Sequence, residues 1–289
     1  MLWLDGLVQG VLLGGLYAQY ALGMALMFGV MRIVNLTHGD LMILLALVGI
    51  SLAASYGLGP WWVIMIVLVA LGALIGMILQ RLILNRVVGA DPLPSLIATF
   101  GLSIALQNAM LQIWSADTRS LDSGGLAQAS FQVGPLFIGV LPLIVLIVAT
   151  ILTGGLDGVL RFTRFGRSLR AAAADVEAAA LTGVNPKRIY AGATAIAVAI
   201  LGFAAVFQSM RSTVSPADGP FQLIYAFEAV IIGGMGSVWG AFLGAMVLGI
   251  SQSIGFRIDP GFGILAGHLV FLTVLAVRPQ GLLGREMRV

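Results

Sequence analysis

The sequence predicts an all-α fold: a polytopic bundle of transmembrane helices with about eight or nine membrane segments in a chain of 289 residues. Three observations carry this expectation. Hydrophobic residues make up 60% of the chain and charged residues 9%, where a soluble domain carries roughly 25% charged residues. The apolar residues fall into runs close to the ~20 residues a helix needs to cross ~30 Å of hydrocarbon. Between the runs, Arg167–Arg188 (RSLRAAAADVEAAALTGVNPKR) is long, basic and alanine-rich, and does not belong in lipid.

Taken in order, Leu7–Met31 has no ionisable side chain and forms the first span. Leu41–Gln80 also lacks one but is broken at Tyr56-Gly-Leu-Gly-Pro60, with Trp61-Trp62 as an interfacial anchor, so it makes two spans. Leu93–Ser115 is the fourth. Gly134-Pro135 opens the fifth, which runs to about Gly154, and Ile189–Met210 is the sixth. Phe221–Ile232, Val238–Gly255 and Phe262–Val277 are shorter. Phe221–Ile232 reaches only about 18 Å and reads as a span, a half-helix or a re-entrant segment. The opening MLWLDGLVQG lacks the positive region of a signal peptide, so it is expected to stay as a span.

Basic residues near span ends remain cytoplasmic. With the N-terminus outside (periplasmic), Arg32, Arg81, Arg86, Arg161, Arg164, Arg167, Arg170, Lys187, Arg188, Arg278, Arg285 and Arg288 face the cytoplasm. Only Arg119, Arg211 and Arg257 then face outside, and the opposite orientation inverts the bias. On this layout Ala116–Gln132 is an external loop, Asp157–Arg188 the large cytoplasmic loop, and the C-terminus cytoplasmic.

Composition also excludes functions. The chain has no cysteine and two histidines, which leaves no disulfide framework and little for a metal. The net charge of +3 reports orientation rather than nucleic-acid binding. No Gly-rich loop ends in Lys-Ser or Lys-Thr, no HExxH helix is present, and no GxSxG elbow. Neither an enzyme nor a cofactor is expected.

A shift of 180 residues lays Val34-Asn35-Leu36-Thr37-His38-Gly39 over Val214-Ser215-Pro216-Ala217-Asp218-Gly219, with Arg32 and Arg211 upstream. In the layout above the two boxes lie on opposite sides of the membrane, the pattern of an inverted repeat with the substrate path between its halves. The single transmembrane domain, 1–289, would then divide into a half at about 1–155, the cytoplasmic loop at 156–188 and a half at 189–289. The other reading is two ordinary polar helix starts.

Asn35, Thr37, His38 and Asp40 cluster between two apolar spans, and Ser215 and Asp218 occupy the matching stretch. Polar groups in hydrocarbon must face a cavity or one another. These residues therefore read as lining a conduit, or as a short turn in which Asn35 or Thr37 caps the next helix. Glu228 lies mid-segment and needs a partner; Arg211 and His268 are both available. His268 reads as a packing residue, and Gln107 and Asn108 as amides that join helices. Gly6, Gly10 and Gly14, like Gly236, Gly240 and Gly244, repeat at four, which permits close helix packing or a subunit interface.

The cytoplasmic loop carries Glu177-Ala178-Ala179 followed by Gly183, which resembles the EAA loop of bacterial ATP-binding-cassette permeases, although the Ile-x-Leu-Pro that often follows is absent. Phe165-Gly-Arg-Ser-Leu-Arg-Ala171 and Leu181-Thr-Gly-Val-Asn185 resemble its form in the branched-chain amino-acid permease family of these importers. So do Asn35-Leu-Thr-His-Gly39, Gly233-Gly-Met-Gly-Ser-Val-Trp-Gly-Ala241 and Arg278-Pro-Gln-Gly-Leu282. Thr37 stands where the family usually has Ala and makes its box more polar. The resemblance spans nearly the whole chain.

It implies a multi-pass permease subunit of the bacterial inner membrane. Its partners would be a homologous permease or second copy, two cytoplasmic ATP-binding subunits, a periplasmic solute-binding protein and the lipid bilayer. Its cargo would be branched-chain or other hydrophobic amino acids, or related small amide solutes. Asn35, Thr37, His38, Asp40, Ser215, Asp218 and Glu228 would belong to the substrate pathway. Arg167, Arg170, Asp175, Glu177, Ala178, Gly183 and Asn185 would belong to a short coupling helix seated on the ATPase. An ion-coupled secondary transporter, with Asp40, Glu228 and His268 as a relay, is the alternative.

Overall fold

The first apolar run forms one unbroken helix, α1 (Leu2–Met31), longer at ~1.5 Å per residue than a bilayer requires. This computed structural model describes residues 2–57, 60–89, 91–134 and 136–284. Leu58, Gly59, Pro135, Arg285 and Arg288 of the sequence reading lie outside them. After α1 come α2 (His38–Tyr56), α3 (Trp61–Val87), α4 (Leu93–Trp114), a hairpin of β1 (Ser130–Val133) and β2 (Leu136–Gly139), and α5 (Val140–Phe162). Two short helices follow, α6 (Arg164–Ala174) and α7 (Val176–Leu181). The chain then forms α8 (Pro186–Arg211), α9 (Gly219–Gly233), α10 (Val238–Ile258) and α11 (Phe262–Val277). Seven of these helices are long and apolar enough to cross a membrane, and α9 and α11 are shorter apolar helices. They correspond to the nine expected segments.

Several boundaries differ from expectation, four of them for a plain local reason. The first helix begins before Leu7, because Asp5 is neutralised by Arg257 at the end of α10. The fifth span starts at Val140: Leu136–Gly139 pairs antiparallel with Ser130–Val133 across a turn in which Gly134 has φ +59°. A short apolar run fits a strand as well as a helix. α5 continues past Gly154 to Phe162, and Arg161 bonds Asp157 one turn back at 2.8 Å. The basic loop forms two helices rather than one, because Asp175 is extended (φ −153°) and its carboxylate accepts from Ala178 N to start α7.

The bundle has two ends. The hairpin end gathers the starts of α1 and α5 and the ends of α8 and α10; Gln9 bonds Phe137 O, and Arg119 pairs with Val214. The short-helix end gathers the ends of α1, α5 and α9 with α6 and α7, and Leu282 and Leu283 bond the carbonyls of Ile232 and Gly233. α1 and α8 form the centre. α10 packs on α1 and α3 packs on α8, each through glycines. A Cβ at Gly10 would lie 2.5 Å from Ile250 Cα, and one at Gly72 or Gly76 would lie 2.5 Å from the carbonyl oxygen of Val198 or Thr194. Gly240 and Gly244 likewise admit the backbone of α9. The glycine stripes are thus consumed inside the chain, not left for a subunit interface, and Gly236 sits in the turn before α10 (φ +82°).

Two helices start inside the bundle. His38 Nε2 lies 2.9 Å from Tyr20 O, eleven residues before the end of α1, hence about 16 Å in from the short-helix end. The segment after α1 therefore turns back inward, and α2 starts at depth and runs to the hairpin end. Residues 212–218 return inward from the opposite end, and α9 starts against α2. A Cβ on Gly39 would strike the carbonyl of Gly219, and one on Gly219 would strike Asp40. The two boxes do not lie at opposite surfaces, as the repeat reading placed them. They enter from opposite ends and meet.

Gly249 sits against the backbone of Gly10 and Gly14, whereas Gly101 on α4 faces open space. Gly249→Val is expected to lower stability by about 1–3 kcal/mol through overpacking. Gly101→Val should leave the melting temperature in detergent nearly unchanged. Equal melting of the two variants would contradict the packing described.

Candidate functional site

Asn35 organises the inward segment. Its Oδ1 accepts from Thr37 N at 3.1 Å and from Thr37 Oγ1 at 2.5 Å, and its carbonyl accepts from His38 N at 3.1 Å. Neither side chain caps α2, so the helix-cap reading of these residues fails. Asn35, Thr37, His38 and Asp40 are all buried. Asp40 Oδ2 accepts from Ser103 Oγ of α4 at 2.5 Å, and Gln107 Nε2 donates to the same hydroxyl at 3.2 Å. Gln107 thus supports Asp40 through its own helix, while Asn108 turns outward and bonds Ile104 O. Asp40 Oδ1 and His38 Nδ1 are buried without a hydrogen-bond partner. Buried polar atoms are rarely left so.

Toward the α10 side the polar groups come from residues that sequence reading passed over. Tyr17 OH donates to Gln252 Oε1 at 2.6 Å, and Tyr20 OH to Gln208 Oε1 at 2.7 Å. Tyr17 stacks on Tyr225 with centroids 5.0 Å apart. The available signal was two polar-tipped aromatics three residues apart in a span without charges. Glu228 is buried and pairs with His268 of α11, not with Arg211; its Oε2 is unpartnered. His268 is therefore no mere packing residue. Ser215 and Asp218 play a local part: Asp218 Oδ2 accepts from Ser215 N at 2.7 Å and shapes the turn into α9. Thr194 of α8 donates to Gln80 Oε1 at 2.6 Å where α3 widens into a π-helical turn over Gln80–Leu84.

At the short-helix end, the sequence-picked residues separate into two sorts. Asp175 and Asn185 cap α7 and α8, as Thr163 caps α6. Gly183 (φ +87°) closes α7: Gly183 N bonds Ala180 O and Val184 N bonds Ala179 O, the Schellman arrangement that favours glycine. These three frame the loop. Arg167, Arg170, Glu177 and Ala178 are exposed, while Ala179 is buried against the bundle. Sequence reading missed Leu181, which is 90% exposed, and Val176, exposed on the same short helix. A 610 Å³ cleft beside it is lined by Asn85, Val176, Ala180, Gly183, Lys187 and Tyr190, among others.

The sequence profile of the family described as the permease component of the branched-chain amino acid transport system matches residues 6–276. The chain belongs to this family. It is a multi-pass membrane transport component, not an enzyme. It is 29% identical to the high-affinity branched-chain amino acid transport system permease protein BraD of Pseudomonas aeruginosa, over 98% of this chain and 96% of BraD. It is 27% identical to the corresponding permease protein LivH of Escherichia coli, over 98% and 96%. A shorter similarity, 32% identity over 120 residues, joins 41% of this chain to 28% of the LivM permease protein of Escherichia coli. No solved structure matches the chain.

In this permease the Asp40–Ser103 bond is what fastens the peripheral α4 to the inner start of α2. Ser103→Ala leaves a buried carboxyl oxygen without its donor and is expected to cost about 1–3 kcal/mol. Adding Asp40→Asn should cost less than the sum of the single changes. Strict additivity in a double-mutant cycle of detergent melting would show that the bond carries no coupling.

Proposed function

We propose that this chain is one permease subunit of an ATP-binding-cassette importer for branched-chain or other hydrophobic amino acids. It works with a second permease, two ATP-binding subunits and a solute-binding protein. Residues 1–155 and 189–289 act as inverted halves, and the seam where α2 meets α9 is the moving part. The packing supports this reading: α1 lies on α9 and α10 as α8 lies on α2 and α3. Rocking one half against the other opens the buried box Asn35–Asp40 and the Glu228 region first to one side, then to the other. Ser215 and Asp218 hold the second inward turn.

The short-helix end faces the cytoplasm. It carries Arg32, Arg81, Arg86, Arg161, Arg164, Arg167, Arg170, Lys187, Arg188 and Arg278, against Arg119, Arg211 and Arg257 at the hairpin end, in keeping with the positive-inside rule. On this reading the start of α1 is periplasmic and the end of α11 cytoplasmic.

The single observation that carries the importer over an ion-coupled transporter is α7, a capped helix outside the bundle whose Leu181 projects free. A secondary transporter has no use for such a lever. Here Leu181 and Val176 seat in the ATPase, with Arg167, Arg170 and Glu177 as its charged surround, while Asp175, Gly183 and Asn185 fix the lever's geometry. The side-chain change with least structural cost is therefore at Leu181. Burying a leucine is worth about 1.5–3 kcal/mol, so Leu181→Ala is expected to weaken ATPase association by roughly 10- to 100-fold. Membrane level and detergent melting should stay as in the unmodified chain. Uptake into vesicles should be abolished by vanadate and survive an ionophore; the reverse pattern would favour the secondary transporter.

A further inference from the structure

Ionisable side chains within a span normally turn toward the bundle or a water-filled space. His268 is 39% exposed at its side chain, on the outermost face of α11, among exposed Ile264, Leu265, Leu269 and Leu272. Among the described residues α11 packs chiefly against α10 and, to a lesser extent, α9. His268 lies about 9 Å from the first residue of this helix and about 13 Å from the last, so its short side chain reaches neither surface. Behind it Glu228 is 4% exposed, bonds Nδ1 and keeps Oε2 unpartnered. Nδ1 is taken by the carboxylate, and Nε2 has no protein partner among the described residues. An imidazole–carboxylate pair set against hydrocarbon at mid-span keeps an uncompensated desolvation cost.

We propose that the outer face of α11 around His268 is one wall of the solute path, and that a second permease subunit forms the facing wall. Nε2 of His268 accepts a hydrogen bond from the α-ammonium group of the amino acid, and Glu228 behind it supplies the complementary charge. The leucines and isoleucine beside it face the solute's apolar side chain and the partner's helices. The inference rests on the importer reading above and adds to it where the path runs.

Because the chain contains no cysteine, single cysteines report their surroundings without background. Leu265→Cys and Leu272→Cys lie one turn either side of His268 and leave the pair intact. Ile151→Cys, 66% exposed on α5, is the lipid-facing control, and Asp122→Cys in the exposed loop is the aqueous one. In vesicles bearing the whole importer, a charged methanethiosulfonate should modify the two α11 cysteines at least about ten-fold faster than Ile151→Cys. A short bis-maleimide should join Leu272→Cys to a cysteine-bearing second permease. Leucine should slow the modification, whereas 4-methyl-2-oxopentanoate, which has the same side chain but no ammonium, should not.

Modification no faster than at Ile151→Cys, with Asp122→Cys fully labelled, overturns the placement of the path. A cross-link to no permease overturns the facing wall. Equal protection by leucine and its keto acid overturns the ammonium contact. Vanadate-sensitive uptake in the same vesicles separates these failures from failure of the importer reading, which absence of that uptake would reveal first.

Discussion

Everything in this bundle depends on the contact of two glycines. Gly39 and Gly219 let the first turns of α2 and α9 touch backbone to backbone. Any larger residue at either position would hold the two helices apart by the width of a methyl group. Because they touch, two helix N-termini with their unpaired N–H groups and partial positive charge face the interior rather than the interface. The chain before each start must then cross part of the bilayer without helical hydrogen bonding. In lipid that is tolerated only where protein or a cavity satisfies the backbone. Asn35 supplies this on one side, by accepting from Thr37, and Asp218 on the other, by accepting from Ser215.

The same contact explains why the centre is rich in small residues. α1 and α8 are the helices whose neighbours press from all sides, and each is gripped by a partner whose backbone approaches within a Cβ's reach. Lipid tails are as apolar as leucine, so burial alone does not drive helices together in a membrane. Close backbone approach, with its many weak dispersion contacts, replaces it. Peripheral α5 and α11 are gripped too, at Gly15 against Leu146 and at Gly255 against Phe262, and polar ties are added on the outer helices: Ser103 to Asp40, Val145 O to Gln19, His268 to Glu228. Carboxylates fasten two of these helices, α4 and α11.

How much of this was legible in the sequence follows from what kind of force decides each feature. Hydropathy placed the spans, because lipid leaves an apolar helix little alternative. The capping residues Asp175 and Asn185 and the αL glycine Gly183 were visible as a motif and read as docking; the structure adds that each also shapes the backbone. Leu181 was visible only as the first residue of the Leu181–Asn185 box, and its exposure is what the structure adds. The meeting of Gly39 and Gly219 was half visible. Their 180-residue offset appeared in the sequence, yet depth did not, because hydropathy cannot distinguish a polar turn at the surface from one folded back to the middle. The tyrosine and glutamine network stayed hidden for a related reason, since each partner lies on a different helix, as in Tyr17 with Gln252.

On the importer reading, depth also bears on how a displacement of α7 would reach the interior of the bundle. α7 touches the bundle through Ala179, next to the start of α8, and α8 is the helix on which α2 and α3 pack. A push on α7 is delivered to one end of α8, whose other end continues into the turn at Ser215 and Asp218 and so into α9. Packed helices transmit such a displacement because their interiors are nearly incompressible. At the contact of α2 and α9 the glycine backbones meet with the Asp40 carboxylate against Gly219. The short helix α7 and this contact are thus joined by one continuous helix, α8.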